Sequence, residues 1–241
     1  MNFFLECKKM RRTGFYPAFA AGGILASCMP VVNMAVRAEI FTGQEQPPLQ
    51  ILLDANWTMM SMLNILLIIT GACIMYHTEY GNNAIQKIQS LPVKESHIFF
   101  AKFILMTGMC ILSLAIEACT LLFCCLHWFK TDNDLYLSLI KYFGLFLILL
   151  LPAVLISLAI ASAFKNMWIS LGIGVVCVFA ASMIISADYF ILQIFPFALP
   201  LQTLTGTASE TVTKFLTAVG FEIFVTGCAE LTFLRIRKSL V

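Results

Sequence analysis

Charge is what this chain has least of. Only 12% of its 241 residues are Asp, Glu, Lys or Arg, about half the share found in soluble globular domains. That shortage excludes a water-facing surface of ordinary composition, and with it a soluble enzyme or binding module. Histidine is scarce as well. His77, His97 and His127 lie far apart and form no ligand-spaced group with cysteine, so nothing in the spacing builds a metal centre. No Gly-x-x-x-x-Gly-Lys-(Ser/Thr) occurs, which rules out ATP binding in the P-loop manner. Gly-x-Ser-x-Gly, His-Glu-x-x-His and paired-glutamate signatures are missing too, which removes the common hydrolase and intramembrane metalloprotease readings. The net charge of +2 is too small to argue for nucleic acid.

Apolar sequence is what fills the space. Hydrophobic residues make up 60% of the chain and the mean hydropathy is +0.91, the signature of an all-α polytopic membrane protein. Nine cysteines, an odd number, lie almost wholly inside apolar runs. There they pack as small hydrophobes, and a disulfide framework is not expected.

Residues 1–14 place Phe3, Phe4, Cys7 and Met10 on one face with Lys8, Lys9, Arg11 and Arg12 largely opposite, an amphipathic helix for an anionic membrane interface. A first span follows from about Phe15 to Met34. Basic residues before an apolar run also suit a signal peptide, but the run is long for one and the reading is of a retained span. Residues 37–56 look like a polar loop around Pro47-Pro48. The second span, Trp57 to Tyr76, measures about 28 Å of helix with an aromatic at each end for the two interfaces.

The third span, Ile98 to Trp128, measures about 46 Å, longer than the roughly 30 Å hydrocarbon core. The fourth, Leu137 to Phe164, carries Pro152 as an expected kink. Lys165-Asn166 forms a tight turn into the fifth, Met167 to Ile185, where Gly172 and Gly174 permit close helix approach. Pro196 and Pro200 break residues 186–213 into short re-entrant or interfacial helices. A sixth span, Val212 to Leu234, ends at Arg235, Arg237 and Lys238. With both termini in the cytoplasm, eleven Lys and Arg fall inside and only Arg37, Lys130, Lys141 and Lys214 outside. The positive-inside rule therefore fixes that orientation.

The polar interval from Glu79 to Lys102 falls on the cytoplasmic side. Ile85, Ile88 and Leu91 recur at three-residue spacing among Asn82, Asn83, Gln86, Lys87 and Gln89, a short amphipathic helix. Gly81 lets the chain turn before it, Pro92 stops it, and Ser96 suits the N-cap of the next span. An exposed apolar stripe on such a helix needs lipid or a soluble partner to cover it.

Glu79, Gly81, Leu91-Pro92-Val93-Lys94 and Lys102 together resemble the ABC-type-two exporter permeases, with Asn82 where that family commonly carries Thr. The resemblance implies that residues 1–241 form a single transmembrane permease domain. It also implies that the interval holds a coupling helix contacting an ATPase, with Glu79, Tyr80, Gly81, Asn82, Ile85, Ile88, Leu91 and Pro92 in that role. The chain would then bind no cofactor itself, ATP sitting on the partner. Its partners would be an ATPase dimer, a second permease of the same or a sibling chain, the lipid bilayer and a peptide or other amphipathic substrate. Small permeases of this length are similar to the lantibiotic (bacteriocin) immunity subunits of Gram-positive bacteria, which expel the peptide from the producer's own cell membrane. A non-transporting assembly or sensor subunit is the rival, but it has no need of a docking helix.

Two acids stand where acids are costly. Glu117 lies about 16 Å from Trp128 in the third span and Glu222 near the middle of the sixth, at a cost of about 2.5–3.5 kcal/mol each unless shielded from lipid. Each can be neutral and hydrogen-bonded in the bundle, or paired with a cation such as Lys141. The third option, taken here for Glu117, is that they line the path of a cationic peptide.

Overall fold

Six helices long and apolar enough to cross a membrane organise the chain. The computed structural model describes residues 3–81, 95–129, 134–184, 194–202 and 209–239. Among them a short helix α1 (Phe3–Met10) precedes the spans α2 (Phe15–Thr42), α3 (Pro48–Tyr80), α4 (Glu95–Trp128), α5 (Leu135–Ala163), α6 (Met167–Ile184) and α7 (Ser209–Ser239). A 3-10 turn, Leu199–Leu201, lies between the last two. The multi-pass, all-helical expectation holds.

Helix α3 is the centre of the bundle and packs against α2, α4, α5 and α6. Its most apolar stretch is 61% buried, against 17% for that of α7, so α3 reads as core and α7 as periphery. Small residues allow the close crossings. A Cβ at Gly71 would lie 2.6 Å from Phe19 of α2, and one at Gly174 would lie 2.5 Å from Ile69 of α3. Gly172, by contrast, faces open space. Of the two glycines expected to bring the fifth span close, Gly174 alone does so.

Several boundaries move from their expected places. The loop expected over 37–56 shrinks to 43–47, because polar residues such as Glu39 and Asp54 decorate helices rather than break them. Gly43 and Pro47 make the actual break, with Pro48 opening α3. Helix α2 bends at Arg37, where φ is −133° and ψ 32°, whereas α5 runs unbroken through Pro152. Ser96 lies inside α4 rather than capping it. Asn166 does cap α6, its Oδ1 accepting from the Trp168 amide at 3.0 Å.

The aromatics bracketing the second span point inward, not at lipid headgroups. Trp57 is buried, packs on Phe146 at a centroid distance of 4.6 Å and donates its indole N–H to the Pro200 carbonyl at 3.1 Å. Phe197, Ala198 and Leu199 have no exposed surface, so residues 194–202 fold back into the bundle against α3 and α5. Backbone at such a position must find partners in protein, and Trp57 supplies one.

Candidate functional site

The densest polar arrangement among the described residues sits where α1, the end of α3 and the start of α4 meet. Gly14 turns the chain from α1 into α2 with φ at +77°, the left-handed region that glycine enters without strain. The turn lays α1 against α4 and buries Glu6 and Met10 at 1% exposure. Lys9 donates to Glu6 Oε1 at 2.7 Å and reaches Glu79 Oε1 at 3.4 Å. Lys102 lies 2.9 Å from the same Glu79 oxygen and 3.6 Å from Glu6 Oε2. It also contacts the Met75 carbonyl at 3.4 Å and sits 4.8 Å above the Tyr76 ring.

Two carboxylates and two ammonium groups sum to zero, and that balance is what permits charge at 1% exposure. Tyr76, expected at a lipid interface, instead forms the floor under Lys102. The amphipathic reading of residues 1–14 also needs correction. The single apolar face divides: Met10 is buried in the protein together with Glu6, while Phe4 is 75% exposed beside Lys8 and Arg11. An acid that finds two lysines overrides the apolar pattern.

The remaining coupling residues divide. The Tyr80 hydroxyl donates to the Ser162 carbonyl at the end of α5, and the Ser162 hydroxyl donates to Glu230 of α7 at 2.8 Å. This polar relay joins α3, α5 and α7. Gly81 follows α3 at φ −64° and ψ 144°, extended backbone open to any residue, so the turn there does not demand glycine. Asn82, Ile85, Ile88, Leu91 and Pro92 lie outside the described residues. Glu6, Ser162 and Glu230 were not singled out from the sequence, and Lys9 was named only as part of a basic face. The one available signal was Glu6, the sole acid in a basic segment.

The two membrane acids have different surroundings. Glu117 has no exposed surface. Its Oε1 accepts from the Asn64 amide of α3 at 2.7 Å, with the Ser113 hydroxyl 3.2 Å from Asn64 Oδ1 and 3.4 Å from Glu117. Its Oε2 has no hydrogen-bond partner among the described residues. Asn33 of α2 donates to Asn56 of α3 at 2.6 Å, a second polar pair about two turns from Asn64 toward the start of α3. Glu222 is buried on α7, beside residues that pack on Leu149 of α5, with its own Oε2 unbonded among the described residues.

The geometry around Glu117 yields an expected outcome. Glu117→Gln keeps the acceptor for Asn64 and should leave expression and thermal stability near wild type. Glu117→Leu strands the buried Asn64 amide and should cost about 1–3 kcal/mol, read as earlier thermal aggregation in detergent. Equal behaviour of the two variants would remove the hydrogen bond from the account of this site.

Comparison with known proteins adds one match: a family model described as ABC-2 family transporter protein covers residues 3–181. No curated protein matches, and no solved structure does either.

Proposed function

Because the chain belongs to the ABC-2 family of transporter proteins, we propose that it is the permease subunit of a bacterial exporter that expels a lantibiotic or similar cationic antimicrobial peptide. Family membership implies an ABC ATPase subunit as partner. The finer reading is that two permease chains, identical or sibling, pair in the membrane. Each would seat an ATPase on residues 82–94, the two termini lying in the cytoplasm. The observation that carries it is the position of the balanced charge cluster. Glu79 and Lys102 stand at the two ends of the coupling interval, on helices α3 and α4, and the pair lies only 2.9 Å apart. A force applied to that interval meets a fixed base rather than two loose helix ends.

The peptide substrate rests on the resemblance to immunity permeases and on acids placed inside the bundle. Glu117, though shielded within this chain by α3 and α4, remains a candidate for the cation-attracting role if the transport cycle opens that seam. Glu222, on the less buried α7, is a candidate as well.

Expression with its ATPase in a sensitive host should raise tolerance to a cationic lantibiotic, and the ATPase should copurify with the permease. Copurification without protection would retain the transporter and sink the peptide. Loss of both would sink the exporter reading itself. Orientation has its own check: reporter fusions should place residues 45 and 132 outside and residues 87, 165 and 238 inside. An external residue 87 would put the coupling interval out of any ATPase's reach.

A further inference from the structure

Helix α1 has a second face, and the charge cluster does not use it. Phe4, Cys7, Lys8 and Arg11 recur at the spacing of one helical stripe, and with Tyr16 of α2 they line a cavity of about 540 Å³. The Tyr16 hydroxyl donates to the Cys7 carbonyl at 3.1 Å, tying the two walls together. Lys9 and Lys102 are matched by Glu6 and Glu79. Lys8 and Arg11 make no ion pair among the described residues. The cavity therefore brings two cations together with the rings of Phe4 and Tyr16. Of its lining, Phe4 is 75% exposed, an apolar surface that water does not favour.

We propose that this cavity binds the headgroup of an anionic phospholipid from the leaflet in which α1 lies. A soluble phosphate would satisfy Lys8 and Arg11 but leave the exposed Phe4 ring uncovered. A zwitterionic lipid would cover the aromatics but bring no net charge to the two cations. An anionic lipid does both, phosphate against the cations and glycerol and upper acyl carbons along the rings. The opposite face of α1 carries the Glu6 contacts to Lys9 and Lys102, so an occupied cavity holds α1 in place and with it the base of the coupling interval.

The test uses the full-length permease in vesicles of mixed phosphatidylglycerol and phosphatidylcholine, followed by release into detergent and native mass spectrometry of retained lipid. Wild type should retain phosphatidylglycerol in preference to phosphatidylcholine. Lys8→Gln/Arg11→Gln should lose that preference by about tenfold or more, since each cation near an anionic headgroup contributes measurably. Arg235→Gln/Arg237→Gln, which removes the same charge from the other end of the chain, should not. A monodisperse elution profile for each variant keeps misfolding out of the comparison. Equal loss in both double variants would mean diffuse surface charge and overturn the site. Displacement of the lipid by glycerol phosphate at matched concentration would mean a soluble anion is the ligand. No phosphatidylglycerol preference in the wild type would overturn the proposal outright. Retention is read without transport, so a failed export assay leaves this result standing.

Discussion

Lys102→Met should destabilise the protein by about 3–5 kcal/mol, the cost of leaving a buried charge without its counter-charge. Lys102 is 1% exposed and faces both Glu6 and Glu79. Methionine fills much the same volume, so the loss is electrostatic rather than a cavity. Lys9 cannot take over, because its side chain is 36% exposed and it is already shared between the same two acids. In a protein of this size the loss corresponds to a drop in apparent melting temperature on the order of 10 °C, with lower yield from the membrane. The sharper readout is the double variant Glu79→Gln/Lys102→Met. It restores neutrality by leaving Glu6 with Lys9, and should recover a large part of the loss. A double variant as unstable as the sum of its singles would mean that Glu79 and Lys102 act independently, and their pairing would no longer explain the base of the coupling interval.

The spans were legible because an apolar run of eighteen or more residues admits few other fates. Their ends were not, since polar residues such as Glu39 and Asp54 sit on helices without stopping them. Glu79 and Lys102 stood out as the two ends of one interval, but that they touch is a fact of antiparallel packing between α3 and α4, invisible to spacing. Glu6 was hidden for a different reason. Its burial depends on where α1 docks, and an amphipathic pattern read alone groups Met10 with Phe4 and gives Glu6 no place. Glu117 was marked by the cost of its depth, yet its partner Asn64 lies on another helix, 53 residues away along the chain. A sequence shows that a buried acid needs a partner long before it shows which one. Trp57 taught the same lesson in reverse. Its place at the end of a span suggested lipid, while the Pro200 carbonyl it satisfies belongs to a segment that folds back from beyond the fifth span.

Ile85→Asp and Ile88→Asp should each abolish copurification of the ATPase and substrate-stimulated hydrolysis while leaving the permease in the membrane at normal level. Burying one isoleucine against a partner contributes roughly 1.5–3 kcal/mol, and a carboxylate in its place adds the penalty of a desolvated charge. At about 1.4 kcal/mol per tenfold, the combined change lowers affinity by more than tenfold. Membrane insertion should be untouched, since it is set by the six apolar spans and not by this interval. Gln86→Asp is the informative control. It adds the same charge to the same short segment, but on the side of the expected helix opposite Ile85, Ile88 and Leu91, and association should persist. A segment resting on lipid would behave otherwise. Either isoleucine variant would then loosen it from the bilayer, yet the ATPase would still copurify with all three variants, and the coupling role of this interval would have to be abandoned.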